Sequence, residues 1–402
     1  MKPRPTTPAR RTAGFSLIEL LVSMVIGLVV TLAITSVLIR SEGSKRSTTS
    51  VNDINQTGAY AAYVLDRAIR SAGSGFSQRW SSMYGCLLNA SSGGTQVLPA
   101  SLSSSPTFAN VTSATMPARL SPVIIGKGLA NTGTQIRGDV LMVMGGTAGA
   151  AEVPLSVTPG SINTLSSPPQ LQVSNTLGYR ANNIILLADT SGVPGGCMLQ
   201  QVDGSVGSPP QVVPLSGTYY SGTGATVSLT SFGASTFVAQ LGVDGTNPPQ
   251  FQLFGVGANN ALFSYDLLQV GGNEQPVADG VVEMRALYGV DTTLPRPDGV
   301  LDSWVDPVAG SGYEASVLMD GSTTSQDKLR RIVAIRLGFI LRTSLPERPQ
   351  DYQQPTGTVL TLFGDLPAAV QQTRTLVGTE LNYRFRTVET TVPLLNVLNA
   401  PP

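Results

Sequence analysis

The chain has 402 residues, enough for two or three domains or for one large β domain. Its 25 basic side chains balance its 25 acidic ones, which argues against a nucleic-acid-binding protein because such a protein needs a concentrated basic surface. Charged residues make up only 12%, and Gly (43) and Pro (28) are abundant, which favours turns and short strands over long soluble helices. The chain has no His, which excludes a Ser-His-Asp triad, a Cys-His pair and a His-based zinc site.

A basic leader precedes a long apolar segment at the N-terminus. Residues 1–14 carry four basic side chains and no acid, and residues 15–39 contain a single ionisable group, Glu19. As a helix, the apolar segment extends about 37 Å, which exceeds the ~30 Å hydrocarbon core of a membrane. The positive leader predicts that the segment spans the membrane, with everything from residue 40 onward on the non-cytoplasmic side.

Glu19 is unusual for a plain membrane anchor. A carboxylate within an apolar helix is costly and usually has a partner, yet residues 15–39 contain no Lys or Arg. If the chain is cut after Gly14, Phe15 carries a free α-amino group that can pair with Glu19 of the same chain or of a neighbouring copy. A plain anchor and a processed fibre subunit are the two interpretations.

The segment RTAGFSLIELLV, residues 11–22, resembles the class III signal of type IV pilins and type II secretion pseudopilins. The resemblance implies cleavage between Gly14 and Phe15 by a prepilin peptidase and N-methylation of Phe15. It also implies that Glu19 meets a neighbour's N-terminal amine when the helix enters a fibre. The Pro that kinks the helix of many major pilins is absent from residues 15–39.

The helix is predicted to continue beyond the membrane as an amphipathic segment, residues 40–72. Small and apolar side chains recur at spacings of three and four residues from Val51 to Ala68, which predicts one apolar stripe packed on a sheet. Gly43 lies in a Ser-rich patch that can interrupt the helix, and Gly73 is a natural C-terminal stop.

The remaining residues, 73–402, are predicted to form a β-rich globular head. The stretches 90–135 and 200–250 are rich in Ser, Gly, Thr and Pro, which predicts long loops with short edge strands. Residues 138–144 and 183–189 are short apolar runs typical of buried strands.

Two C-terminal segments alternate between apolar and polar side chains. They are residues 332–343 and 381–386, and each predicts a strand with one buried face.

Residues 53–73 and the segment VADGVVEMRALYGVD, residues 277–291, resemble corresponding segments of the PilW family of minor pilins. The whole resemblance covers residues 10–86 and 275–399. It implies an α+β, type IV pilin-like fold, in which a long N-terminal helix packs on an antiparallel β-sheet head with long loops.

The resemblance also implies the partners and the location. The partners are other minor pilins and the major pilin, the prepilin peptidase, the inner-membrane assembly platform and a tip adhesin. The chain is expected to be a single-pass protein of the bacterial inner membrane, with its head in the periplasm, before it enters a surface pilus.

Cys86 and Cys197 are the only two cysteines. Both follow the membrane span, and the periplasm oxidises exported thiols, so we expect a disulfide between them. The alternative is two separate buried thiols that behave as small apolar side chains.

Candidate chemistry is sparse. Asp291, Asp298 and Asp302 are the acidic residues considered for calcium, but Pro and Arg occupy the positions where D-x-[DN]-x-[DN]-G needs oxygen ligands. A solvated turn is therefore the better interpretation. The chain has no phosphate-binding or nucleophile motif, and we expect neither enzymatic activity nor a cofactor.

Two functional classes fit these features. The first is a minor pilin that takes part in initiation and assembly of a type IV pilus, within its tip complex. The second is a J-like minor pseudopilin of a type II secretion system, although the Tyr-Gly-Val-Asp segment and the long head favour the pilus. A host- or DNA-binding adhesin is a third class for the loop-rich middle, but no basic-aromatic patch supports it.

Overall fold

A computed structural model describes residues 14, 16–99, 105–131, 138–148, 153–189, 195–204, 206, 211–233, 235–349 and 352–401. The chain divides into two compact units, Met1–Asn52 and Asp53–Pro402. The predictions for the leader up to residue 13 and for Phe15 fall outside the described residues.

The described residues contain five α-helices and nineteen β-strands. The helices are α1 Leu17–Ser71, α2 Trp80–Met83, α3 Ala315–Leu318, α4 Thr323–Arg330 and α5 Leu395–Leu398. The strands are β1 Leu87–Ser92, β2 Thr95–Leu98, β3 Val123–Gly126, β4 Val140–Gly145, β5 Leu155–Ser156, β6 Gln170–Gln172, β7 Asn183–Asp189, β8 Gly196–Gln201, β9 Val212–Pro214, β10 Thr236–Val243, β11 Gln250–Val256, β12 Ala261–Asp266, β13 Gln275–Asp279, β14 Val281–Val290, β15 Ser303–Val305, β16 Ile332–Arg342, β17 Val359–Leu362, β18 Gln372–Thr375 and β19 Phe385–Pro393.

Most strands belong to three sheets. Their orders are β2-β1-β8-β7-β10-β5, β13-β12-β11-β4-β3 and β15-β14-β16-β19, and the pairs β6–β9 and β17–β18 are separate. Neighbouring strands run antiparallel except β1 and β8, which are parallel. The α+β class with a mainly antiparallel head is therefore confirmed.

The backbone of α1 is helical without a break from Leu17 to Ser71, so the Ser-rich patch at Gly43 does not interrupt it. In the second unit, the predicted apolar stripe is the buried face of α1, with Ile54, Ala61 and Leu65 in the main core. Gly58 belongs to this face because the sheet lies very close to it. An added Cβ would lie 3.0 Å from Val388 of β19 and 3.2 Å from Leu341 of β16.

The C-terminal end of α1 is fixed by three parts of the chain. Gly73 has a φ of +80°, the left-handed conformation in which helices often end. Its N–H donates to the carbonyl of Met144 at 2.8 Å. The side-chain amide of Asn396 donates to the Ser71 and Ala72 carbonyls at 3.3 and 3.0 Å. The helix end therefore has partners for carbonyl groups that α1 itself cannot satisfy.

The apolar run of β7 is explained by two cores, one on each face of its sheet. Ile184 and Leu186 belong to the main core, whereas the alternate residues Ile185 and Leu187 belong to a second core. A strand covered on both faces loses the apolar-polar alternation. The predicted strands at 138–144 and 183–189 correspond to β4 and β7.

The stretch from 200 to 250, expected to hold loops and short edge strands, also contains the eight-residue strand β10. β10 lies inside the six-stranded sheet, between β7 and β5. Its Val238 and Leu241 are buried. The high Gly, Ser and Thr content of the surrounding stretch hides this strand in the sequence.

The structure corrects two predictions for the C-terminal strands. The second face of β16 is also covered, because Phe363 and its neighbours form a third core there, and an added Cβ on Gly338 would lie 3.0 Å from the Phe363 ring. The prediction of a strand at 381–386 is wrong for residues 381–384. Gly378–Asn382 forms a 3-10 helix and β19 begins only at Phe385.

A buried ion network connects the five-stranded and four-stranded sheets. Asp139, immediately before β4, is fully buried and accepts a hydrogen bond from Arg285 of β14 at 3.1 Å. Its carboxylate also accepts bonds from the backbone N–H groups of Gly128 and Ala286, both at 3.0 Å. Burial lowers the pKa of Arg285, but the neighbouring carboxylates of Asp139 and Glu283 outweigh this effect, so its pKa is raised.

The network extends from Arg285 into the β17–β18 hairpin. Arg285 pairs with Glu283 at 2.6 Å, and Glu283 pairs with Arg374 of β18 at 3.1 Å. Arg374 also binds Glu380. On the other side of Asp139, Lys127 lies 3.8 Å from Asp139 and 2.7 Å from Asp306. We call these seven side chains the ion network.

Replacing Asp139 tests how much the ion network stabilises the head. Asp139→Ala removes one of the two carboxylates paired with Arg285, and it leaves the buried Ala286 N–H and the half-buried Gly128 N–H without their acceptor. We therefore expect a loss of about 3–5 kcal/mol in the free energy of unfolding. Asp139→Asn keeps acceptor capacity and should cost less. The measurement is urea unfolding of the full-length protein in detergent, with Asp203→Ala as the control. Equal stabilities of the Asp139→Ala and control variants would contradict the role of the network.

Candidate assembly site

The first unit presents an apolar helical surface that no other part of the unit covers. Leu17–Ile39 is 23 residues long with a mean hydropathy of 2.6, and none of it is buried within the protein. An apolar surface of this size needs a membrane or a partner protein around it.

Most polar side chains of this segment form hydrogen bonds with the backbone of their own helix. The hydroxyls of Ser23, Thr31, Thr35 and Ser36 donate to carbonyls three or four residues earlier in the same helix, at 2.7–2.9 Å. Such bonds let hydroxyl side chains lie in an apolar surrounding without unsatisfied groups. Glu19 is the only ionisable residue of the segment, so its carboxylate is the group that needs an external partner.

Glu19 also defines the start of α1. Its Oε2 accepts a hydrogen bond from the Ser16 N–H at 3.0 Å, and the Leu20 N–H donates to the Ser16 carbonyl at 3.2 Å. A glutamate three residues after a serine that precedes a helix is the sequence signature of a capping box. The pattern Ser16-x-x-Glu19 was a readable signal for this contact, in addition to the role in assembly inferred from the resemblance.

Gly14 precedes the helix. It lies in non-helical backbone, is exposed, and an added Cβ would have no neighbour within 4 Å. The backbone on the leader side of the expected cut is therefore open to a peptidase.

The structure joins Cys86 and Cys197 in a disulfide, with Cα atoms 5.6 Å apart. Cys86 lies just before β1, and Cys197 lies in β8, directly opposite Leu88 in the parallel β1–β8 pair. Both cysteines are buried in the main core. The disulfide thus fixes the chain that follows α1 to the six-stranded sheet.

The acidic side chains of the turn considered for calcium are bonded to the backbone of the same turn. Its carboxylates accept hydrogen bonds from N–H groups of the same turn: Thr293 and Gly299 for Asp291, Val300 for Asp298, and Thr292 for Asp302. The bonds from Thr292 hold the pKa of Asp302 below its ordinary value. In the part of the chain that the structure describes, no three Asp, Glu, Cys or His side chains converge as metal ligands.

Two arginine-tyrosine contacts join residues that lie apart in the sequence. Arg342 stacks over the Tyr383 ring at 4.4 Å, and Arg384 over the Tyr352 ring at 4.0 Å. Arg384 is also paired with Glu347 at 3.1 Å. These contacts hold the segment after β16 beside the start of β19, which gives them a structural role.

Two family models match the chain. Residues 9–35 match the prokaryotic N-terminal methylation motif, and residues 255–396 match the type IV pilus-assembly protein W family, PilW. The two matches support a PilW-family, type IV pilus-related pilin that carries the signal for prepilin peptidase. No curated protein and no solved structure matches it.

The PilW match covers a part of the head that lies beside α1. It runs from the end of β11 to α5 and includes the whole four-stranded sheet, in which β16 and β19 contact Gly58. The second core, which contains Val157, Leu171 and Val213, lies outside both matches.

The disulfide can be tested by removing both sulfurs. Cys86→Ser combined with Cys197→Ser opens a loop with a sequence separation of 111, and the chain-entropy model gives a loss of roughly 4–5 kcal/mol. We expect a lower midpoint of thermal unfolding under non-reducing conditions. Reduced wild type is the matched control and should behave like the variant. A variant as stable as oxidised wild type would contradict the expected contribution.

Proposed function

We propose that this chain is a minor pilin that takes part in initiation of type IV pilus assembly, within the tip complex. The observation that carries the proposal is one helix, α1, with two different surfaces. Its Leu17–Ile39 segment is exposed, apolar and contains Glu19, and its later turns pack on the sheet that matches PilW.

In the first step, prepilin peptidase cuts between Gly14 and Phe15, and Phe15 is N-methylated. Cleavage removes four basic side chains with the leader and creates a cationic amine. Among the described residues, the carboxylate of Glu19 accepts one hydrogen bond, from the neutral Ser16 N–H. A carboxylate has room for several hydrogen bonds, so a neighbour's cationic amine can bind without displacing Ser16. That charge-assisted bond is stronger than the neutral one, and it favours insertion into the fibre.

The position at the tip is supported by the size of the head. The second unit extends from Asp53 to Pro402 and contains a second core beyond the one that packs on α1. A subunit at the end of a fibre has neighbours on one side only, which leaves space for the additional volume. The other subunits of the tip, a tip adhesin, the major pilin and the inner-membrane platform are the expected partners.

The proposal places the head in the periplasm before assembly and at the cell surface afterward. An exported head agrees with the Cys86–Cys197 disulfide, because the periplasm is oxidising. The role is structural: the chain contributes surfaces and a membrane segment to an assembly rather than a reaction.

Processing has a direct test. Mass spectrometry of the protein from sheared pili should find an N-terminal N-methyl-Phe15 and no peptide from residues 1–14. Gly14→Val introduces a side chain beside the scissile bond and should leave the unprocessed precursor in the membrane. Assembled protein that retains the leader would contradict the cleavage site.

Assembly is tested by deleting the gene in the native host and restoring variants. Surface pili counted by electron microscopy should be lost on deletion, should return with wild type, and should stay absent with Glu19→Val at equal membrane levels. Glu42→Gln is the matched control, since Glu42 is another exposed glutamate of α1 beyond the span. Glu19→Gln separates charge from hydrogen bonding.

Two outcomes would contradict the proposal. One is a wild-type number of pili with Glu19→Val. The other is a deletion strain that keeps its pili but loses type II secretion, which would instead identify a J-like pseudopilin.

A further inference from the structure

An open groove of about 550 Å³ lies between α1 and β13 in the second unit. Its α1 side consists of Asp53, Gln56, Thr57 and Tyr60, and its other side is residues 276–279 of β13. We call it the α1–β13 groove. Neither the contact of Glu19 nor the packing of α1 on the four-stranded sheet uses it.

The described lining of the groove contains two carboxylates and no Lys or Arg. Asp53 and Asp279 are both exposed, and within the described residues neither forms an ion pair. Tyr60 is 53% exposed although it is a large aromatic side chain. Carboxylates and an accessible aromatic ring in one groove favour a cationic side chain as ligand.

β13 does not suit strand addition, although it lies at the edge of its sheet. Pro276 lacks an N–H group, and the register of β13 against β12 shifts between Leu262 and Phe263. Proline and an irregular register are the features with which edge strands avoid pairing with another chain. The groove therefore fits a side chain rather than an extended backbone.

We propose that the α1–β13 groove binds an arginine side chain of a neighbouring pilus subunit. A guanidinium group can donate to the carboxylates of Asp53 and Asp279 and stack on the Tyr60 ring, whereas a lysine offers a compact charge with less stacking. The inference rests on the proposed function, because the arginine belongs to another member of the same assembly.

The test uses the full-length chain in its native host, with the photo-crosslinker p-benzoylphenylalanine at Thr57. After irradiation, mass spectrometry identifies the cross-linked peptide. We expect a peptide of another pilus protein with an arginine beside the cross-link. Asp53→Asn combined with Asp279→Asn should reduce the cross-link about tenfold or more, because charge-assisted hydrogen bonds are lost.

The chain offers matched controls for each part of the groove. Tyr60→Leu should weaken the cross-link, whereas Tyr63→Leu, at an exposed tyrosine of the same helix outside the groove, should not. Asp203→Asn removes one charge elsewhere on the head and should have no effect. Asp279→Arg should abolish the cross-link, and replacing the identified partner arginine with Asp should restore it.

Several results would overturn the inference: a cross-link unaffected by the double Asp variant, a cross-linked segment without arginine, or a cross-link to lipid or to a second copy of this chain. Failure of the proposed function looks different. In that case the gene deletion leaves the number of pili unchanged, whereas failure of the groove alone leaves pili dependent on the gene and the cross-link independent of Asp53 and Asp279.

Discussion

The burial of Asp139 is the constraint on which the arrangement of the head depends. A fully buried carboxylate is tolerated only with complete compensation, and here the partners come from different parts of the chain. Arg285 and the Ala286 N–H belong to β14, and the Gly128 N–H follows β3. The carboxylate is satisfied only when the five-stranded and four-stranded sheets meet in one register. Apolar contacts between the sheets add stability but are far less directional, so the ion network selects the arrangement and the core stabilises it.

The same four-stranded sheet also determines how α1 is held in the second unit. The two faces of this sheet pack against different parts of the protein. The face with Leu341 and Val388 contacts α1 at Gly58, and the other face is covered by the third core around Phe363. Because β16 is buried on both faces, neither covering layer can move without exposing apolar surface. The bonds from Asn396 to the end of α1 add directional contacts at its last turn. The proposed entry of Leu17–Ile39 into a fibre requires such a firm attachment between the second-unit part of α1 and the head.

Local sequence patterns predict the elements whose cause is local. The period of α1, the stop at Gly73 and the apolar runs of β4 and β7 depend on nearby residues, and all are present. The second cover of β16 was missed because it depends on Phe363, in a later segment of the chain. The 3-10 turn before β19 was missed because its carbonyls at Leu381 and Asn382 accept bonds from the distant Gln354 and Glu347 N–H groups. The ion network was missed for the same reason: Asp139, Arg285 and Arg374 belong to separate segments and none has a local signature. The capping contact of Glu19 was readable from Ser16-x-x-Glu19, since its partners are three residues apart.

The cap and the proposed amine contact assign Glu19 two partners of unequal strength. A bond to one neutral N–H is worth much less than the cost of placing a carboxylate in hydrocarbon, so Ser16 makes the membrane-inserted state tolerable without making it optimal. Within the described part of the span, the hydroxyls of Ser23, Thr31, Thr35 and Ser36 already donate to carbonyls of their own helix, so they do not need a partner on another subunit. A neighbour's cationic amine therefore forms its most favourable hydrogen bond of the span with the Glu19 carboxylate. In the proposed mechanism, the Glu19 carboxylate gains a stronger hydrogen bond when a processed chain leaves the bilayer and enters the fibre. The same bond sets the register of the chain along the fibre, because the N-terminal amine lies at a fixed place on the neighbouring helix.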